Sequence, residues 1–345
     1  MLSIGRTRGR IAGLLISTLS TRFHERSQRC LMIKKPTAFV LGAGASQAYG
    51  FPLGAELVDQ ICDRIEHGNA SVNTLAILTS AAGCSAEDVI DFVRQLREAR
   101  RYSIDRFLEM EPRPDRVRIG KLAIADTLLF AELNSNLNNV HVEHDWLRYL
   151  FDQLIRKHTG YFEEQAKLLS IVTFNFDRSF EYALFRALRT NYRLSDAETI
   201  VLTQRVRIVH VHGDLGEPFW LKPDSPLAVP FGGAQPDKWI HYVQAAAERI
   251  ILSHEPNRPT RNVDIAVELL RNSDRVCFLG FGYDEDNLNK LGVPTTLESA
   301  SEVRGTTVGK EAAERKVIDR RFANRILLQQ WNIRTFLAEN DVIHD

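Results

Sequence analysis

The stretch TAFVLGAGASQAYGFPLG, Thr37 to Gly54, decides the fold. A five-residue apolar run rich in strand formers, Thr37–Leu41, stops abruptly at Gly42, and a helical pattern takes over from Gly54 to about Glu66. Strand, glycine turn, helix is how an open parallel α/β sheet begins when it is built around a nucleotide. Glycine lets the backbone come close to a pyrophosphate, N–H groups at a helix start favour anions, and the Ser46 hydroxyl adds a donor. The stretch departs from the dinucleotide pattern GxGxxG, because its sixth position is Gln47, which speaks against an ordinary dehydrogenase. Gly305–Lys310, GTTVGK, misses the spacing of a P-loop. A tight strand-to-helix turn without ligand is the alternative reading of the same glycines.

Working outward, LSIVTF (Leu169–Phe174), VRIVHV (Val206–Val211) and RVCFL (Arg275–Leu279) are continuous apolar runs, as expected of parallel strands buried on both faces. Val303–Val308 reads as a further strand, followed by one charged helix from Lys310 to about Gln330. From Ala86 to Lys157 the text is consecutive amphipathic helices. The expectation is a Rossmann-like parallel sheet flanked by helices, formed by residues 32–62 and 160–345, with 63–159 as a helical insertion. Gly213–Asp237, rich in Pro and Gly, reads as a loop or lid.

A length of 345 residues with 44% hydrophobic and 26% charged residues excludes fibrous and disordered classes. No window approaches the roughly 18 to 20 unbroken apolar residues of a membrane span. The net charge of zero hides an asymmetry: residues 1–31 carry six arginines and one acid, leaving 38 basic and 43 acidic groups elsewhere. A mildly acidic body makes neither nucleic acid nor membrane the expected partner. The leader, 1–31, reads either as a transit peptide or as an over-extended start, with Met32 the true one. Cys30, Cys62, Cys84 and Cys277 stand far apart with no CxxC, so neither a disulfide framework nor a zinc ribbon is expected, and a reducing cytoplasm fits. His141 and His144 bracket Glu143, and His210 alternates with His212, but without a third spaced ligand no metal is expected.

Because ligands collect at the carboxyl ends of parallel strands, the residues after each run are the candidate site. They are Asn175 and Asp177 in TFNFD, His210 and His212 in HVHGD, and Gly280, Gly282 and Tyr283 in GFGYD. An amide and a carboxylate at a strand end can bind sugar hydroxyls, a water or a carboxamide; alternatively they cap the helix from Arg178. His212 beside glycine suits a general base, since imidazole titrates near neutrality, and alternation would put His210 on the same face. Gly280 and Gly282 suggest backbone approaching a ribose or adenine, or a simple turn with Asp284 as helix cap.

Together, GAGAS, an Asn-bearing strand end, HG and GFGYDxDN resemble, in order and spacing, the sirtuin-like family, over roughly Thr37–Glu314. Ser103–Leu108 also resembles a short SIDxFL box of bacterial relatives, which reads equally as an N-capped amphipathic helix. The resemblance implies NAD as substrate. Gly42, Ala43, Gly44 and Ser46 would line its pyrophosphate and Asn175 would hold the nicotinamide ribose and a water. His212 would be the base, Asp177 would face the carboxamide, and Gly280, Gly282 and Tyr283 would hold the adenosine side. Phe51 and Pro52 would also contact the cofactor; with Gly50 they stand where sirtuin deacylases read Gly-Ile-Pro before an arginine-bearing loop. Those deacylases also hold zinc by two CxxC pairs and carry a glutamine where Phe174 stands, so a protein-lysine deacylase is not expected. The pattern is similar to the NAD-hydrolysing branch of bacterial antiphage defence. That implies an abortive-infection effector restrained by homo-oligomerisation or by a partner such as a HerA-like ATPase. A regulatory module that binds NAD or ADP-ribose without turnover, or an ADP-ribosyl transferase, are the alternatives.

Overall fold

The computed structural model describes residues 32–342, apart from 69–72, 102, 111, 140, 226, 234, 253–254, 256–260 and 341. The leader, Cys30 and Tyr102 therefore lie outside the described residues. Six parallel strands form one sheet: β1 (Thr37–Leu41), β2 (Leu169–Thr173), β3 (Arg207–His210), β6 (Arg275–Leu279), β7 (Glu302–Thr306) and β8 (Ile326–Gln329). Their order is β3-β2-β1-β6-β7-β8. The chain builds outward from β1 through β2 to β3, then returns to lay β6 on the other side of β1. This reversal opens a crevice between the carboxyl ends of β1 and β6, where Leu41 and Leu279 are paired. The fold is Rossmann-like.

Both faces of the sheet are covered, which explains the unbroken apolar strands. Phe39, Leu41, Ile171, Cys277 and Leu279 pack into one layer, whereas Ala38, Val40, Val172, Val276 and Phe278 pack into the other, as the two-residue side-chain period demands. Helices α1 (Gly54–Glu66), α2 (Thr74–Ala82), α3 (Ala86–Glu98), α4 (Ile104–Met110), α5 (Pro114–Leu133), α6 (Trp146–Leu154) and α7 (Thr159–Ala166) follow β1 and precede β2. After β2 come α8 (Ser179–Tyr192) and α9 (Asp196–Thr203). A short parallel pair, β4 (Glu217–Pro218) with β5 (Ala228–Val229), and α10 (Trp239–Arg249) follow β3. Helix α11 (Arg261–Arg271) leads into β6, α12 (Glu285–Lys290) leaves it, α13 (Ala312–Arg321) joins β7 to β8, and α14 (Ile333–Glu339) comes last. A helical core of its own unites α1 to α5 with α10, through Ile61, Leu78, Phe92, Leu122 and Val243 among others.

One expectation fails. The single helix expected over Lys310–Gln330 is α13 followed by strand β8, because Ala323 and Asn324 both take left-handed backbone angles (φ 54° and 59°) and end the helix. Β8 is a four-residue edge strand with only Ile326 buried, so its sequence lacks the apolar run that marks the inner strands. Among the described residues no helix is long and apolar enough to cross a membrane.

Candidate functional site

The crevice is built by two loops that touch backbone to backbone. Gly42 N–H donates to Leu279 O at 3.2 Å and Gly44 N–H to Gly280 O at 3.0 Å. Gly280 has φ +57°, and a Cβ there would lie 2.3 Å from Ala45 N, so only glycine allows the loops to nest. The N–H groups of Gly42, Gly44, Ala45 and Ser46 all donate within the protein, so the glycines serve first to join the two halves of the sheet.

The end of β2 is tied to this loop. Asn175 Nδ2 donates to Gly42 O at 3.0 Å and to Ser46 Oγ at 3.1 Å, which leaves Oδ1 without a partner among the described residues. Ser46 Oγ donates to Asp177 Oδ1 at 3.0 Å and lies 3.2 Å from Ser179 Oγ. Asp177 Oδ1 also accepts the Ser179 N–H at 3.1 Å, holding the first turn of α8 as a capping residue would. Burial pushes the Asp177 carboxyl above the usual range, against the bonds from Ser179 and Ser46 that lower it.

The two histidines part company. Strand β3 ends at His210, although Val211 N–H still donates to Thr173 O, and the two rings share no partner. His212 Nδ1 lies 3.2 Å from Ile251 O and Nε2 3.3 Å from Asn287 Oδ1. A carbonyl oxygen can only accept, so Nδ1 donates to Ile251 O; a neutral ring then keeps its lone pair on Nε2, which fits the Asn287 contact only when the Asn287 amide presents its NH₂ there in place of Oδ1. Burial, reinforced by the Lys290 ammonium, lowers the pKa of His212 and favours this neutral form. Gly213 makes the pairing feasible: with φ +78°, a Cβ there would fall 1.9 Å from Arg249 O, and the close approach lets Ile251 N–H donate to His212 O at 2.8 Å. His210 instead donates from Nδ1 to Asn175 O at 2.8 Å and faces Glu181 Oε1 from Nε2 at 2.6 Å.

Two cavities meet at the glycine loop. The smaller, about 160 Å³, is lined by Ala43, Phe51, Pro52, Asn175, Asp177 and the rings of Phe174 and Phe176. The larger, about 700 Å³, runs over Ala43, Gly44, Gly280 and Gly282 to Thr306, Thr307, Lys310 and Trp331 at the ends of β7 and β8. Ala43 and Gly54 border both, so the two cavities adjoin at the glycine loop. His212 borders neither directly; its ring packs edge-on against Phe174, with centroids 5.4 Å apart, and lies 6.3 Å from Phe176. Tyr283 lies in the core, its hydroxyl donating to Thr306 O at 3.1 Å, and its side chain lines neither cavity.

Sequence reasoning missed several residues here. Asn287, quoted within GFGYDEDN without a role, holds His212. Asp105 lines the smaller cavity while Ser103 Oγ accepts its N–H at 3.2 Å, so the SIDxFL box is both an N-capped helix and part of the wall. Arg106 from the same helix spans Asp284 and Asp286 at 3.1 and 3.0 Å. Trp331 and Lys310 were obscured because β8 was unseen. Of the residues weighed as metal ligands, His144 and Glu143 border the larger cavity. Among the described residues, Asp63, Glu66 and His67 come close enough to share an ion, but all are exposed and Arg97 bridges the two carboxylates.

The strand order and the nested glycine loops define a Rossmann-like α/β protein with a crevice where the strand order reverses. Residues 169–336 match the family model described as the SIR2-like domain. That stretch contains the Asn175, His212 and Gly280 motifs, while the glycine loop after β1 lies before it. Among solved structures, a chain from work titled "Structural Basis for the Mechanism and Regulation of Sir2 Enzymes" is 14% identical, with 92% of this chain and 95% of that one covered and a TM-score of 0.36. No curated protein matches the sequence.

Proposed function

We propose that the protein is an NAD glycohydrolase that cleaves NAD to nicotinamide and ADP-ribose. The observation that carries this reading is the pair of adjoining cavities: a small one lined by Asn175 and Asp177, sharing Ala43 with a larger one across the carboxyl ends of β1, β6 and β7. In this assignment the nicotinamide riboside half occupies the small cavity and the adenosine half the large one. The match of residues 169–336 to the SIR2-like domain supports NAD as the nucleotide.

Nicotinamide is already a cationic leaving group, so the reaction needs positioning of the ribose more than acid catalysis. The C1′–N1 bond breaks with its electron pair going to the pyridinium nitrogen, which becomes neutral nicotinamide. Water attacks C1′ of the oxocarbenium-like ribose, and its proton would reach Nε2 of His212 through a further water, since the His212 ring borders neither cavity. Asn175 Oδ1, left without a partner by the clamping of its NH₂, would accept from a ribose hydroxyl or orient the water. Asp177 would meet the carboxamide and accept from its NH₂. Capture of C1′ by the ribose itself would give a cyclic product from the same steps. As an unrestrained activity of this kind would be lethal, the proposal includes control by self-association or by a partner such as a HerA-like ATPase, in an antiphage role.

Nicotinamide release from NAD by protein starting at Met32, compared with Asn175→Ala and His212→Ala, tests the reading. Turnover by wild type that both variants lose while still binding NAD supports it. NAD bound but intact under every condition would point instead to a regulatory binding module, and a labelled macromolecule would point to ADP-ribosyl transfer.

A further inference from the structure

We infer that His210, held by Glu181, is a positioning residue for the reaction: it fixes the backbone of Asn175 by donating from Nδ1 to the Asn175 carbonyl. The inference rests on the hydrolase reading, in which Asn175 is the group that meets the ribose.

Three observations carry it. Both ring nitrogens are engaged, Nδ1 with Asn175 O at 2.8 Å and Nε2 with Glu181 Oε1 at 2.6 Å, and both side chains are more than nine-tenths buried. His210 is itself fixed from behind, because its own carbonyl accepts from Asn262 Nδ2 at 2.8 Å. The ring borders neither of the two adjoining cavities. It faces a separate cavity of about 480 Å³ with Glu181, Gln204, Asp214 and Glu268, so whatever it does for the reaction passes through Asn175.

The consequence for Asn175 is local and geometric. Its N–H donates to Thr173 Oγ1 at 3.1 Å, its carbonyl accepts from His210, and its NH₂ donates to Gly42 O and Ser46 Oγ. The residue follows the last residue of β2 by two positions, beyond the ladder that would otherwise hold its peptide, and His210 supplies that missing restraint. Removing it frees the peptide plane to rotate and carries Oδ1 away from the ribose, a displacement of the size that costs about 10²-fold in rate.

Two substitutions separate this role from simple neutralisation of Glu181. The Nδ2 of asparagine falls where histidine Nδ1 stands, so His210→Asn keeps the donor to Asn175 and loses Glu181. The Nε2 of glutamine falls where histidine Nε2 stands, so His210→Gln keeps Glu181 and loses Asn175. His210→Asn combined with Glu181→Gln removes the unpaired carboxylate, should His210→Asn fold poorly. Steady-state nicotinamide release and thermal melting are measured for each, beside wild type and Asn175→Ala. The expected result is kcat lowered about 10²-fold in His210→Gln with KM for NAD little changed, and restored to within about threefold of wild type by His210→Asn, alone or in the double variant. If His210→Gln equals or exceeds the asparagine variants while Asn175→Ala is inactive, the positioning role is overturned and the hydrolase reading stands. If wild type itself leaves NAD intact under every condition, both are overturned.

Discussion

The Ser46 hydroxyl donates to Asp177 Oδ1 at 3.0 Å while accepting from the Asn175 amide at 3.1 Å, so one buried oxygen joins the loop after β1 to both polar residues after β2. A hydroxyl has one proton and two lone pairs, and here the proton is directed to the carboxylate because the amide can only donate from its NH₂. Deleting it leaves Asp177 and Asn175 each short of a buried partner.

Ser46→Ala is therefore expected to cost about 1–3 kcal/mol of stability, the desolvation penalty of a buried polar group left unpaired. It should also move the Asp177 pKa further upward, since a bond that lowers it is gone. Chemical denaturation of wild type and variant checks the first; an unchanged midpoint would contradict the hydrogen-bond hub.

Gly280 and Gly282 make a matched pair. A Cβ at Gly280 meets Ala45 N and Gly44 C at 2.3 and 2.4 Å with φ +57°, whereas a Cβ at Gly282 meets nothing within 4 Å. Gly280→Ala is expected to separate the nested loops and cost several kcal/mol, of order 2–4 from strain and lost packing. Gly282→Ala should leave stability within about 0.5 kcal/mol of wild type, as open-surface substitutions do. Because Gly282 lines the larger cavity, any effect of that variant should appear in NAD affinity alone, measured by calorimetry.

The pH profile of turnover should carry the signature of His212. Burial and the Lys290 ammonium lower its pKa, opposed by Asp105 and by the bonds to Asn287 and the Ile251 carbonyl. A base is active when unprotonated, so activity falls only as pH drops through the lowered pKa, and the acid limb of kcat/KM is expected below the ordinary histidine value of about 6.5. Lys290→Gln, removing the nearby positive charge, should shift that limb upward; a limb that does not move would remove Lys290 from the electrostatics of the site.

The sheet was readable because its inner strands are buried on both faces and so spell continuous apolar runs that end in glycine or polar residues. Β1, β2, β3 and β6 all declare themselves this way, and the candidate residues at their ends follow from the rule that ligands bind there. Β8 did not, since an edge strand with one buried side chain has no such run. The helical core was visible as amphipathic text, but its sharing with α10, far along the chain, was not. Site partners contributed by other elements were also hidden: nothing local in the sequence ties Glu181 to His210 or Ile251 to His212, because both pairings depend on which loops the sheet order brings together.

Arg178 and Glu132 form a fully buried ion pair, with Arg178 Nε donating to Glu132 Oε1 at 3.0 Å and Nη1 to Val229 O at 2.8 Å. It pins the start of α8 to the end of α5 and to β5, directly behind Asp177. Removing one partner leaves an uncompensated buried charge, so Arg178→Met is expected to cost about 3–5 kcal/mol. Arg178→Met with Glu132→Gln should recover part of that loss, which a double-mutant cycle by denaturant titration would read.

The Glu181–His210 pair makes the stability itself pH-dependent, with a definite sign. Burial alone would lower the His210 pKa, but the charge and hydrogen bond of Glu181, with Asp214 adding to them, push it up to about 9. Arg207 and Glu268 are the other charged groups bordering the same cavity. A histidine whose folded pKa lies above its unfolded value of about 6.5 binds its proton more tightly when folded, so its contribution is fully present below pH 6.5. It declines as pH rises from 6.5 to 9 and is gone above. Other titrating groups, including His212 with its opposite shift, are common to wild type and to Glu181→Gln, so they cancel in the difference between the two. That difference in unfolding free energy is expected to be largest near pH 6 and to shrink steadily toward pH 9.5. A difference that stays flat across this range would mean that the pair takes up no proton on folding and that His210 is held neutral.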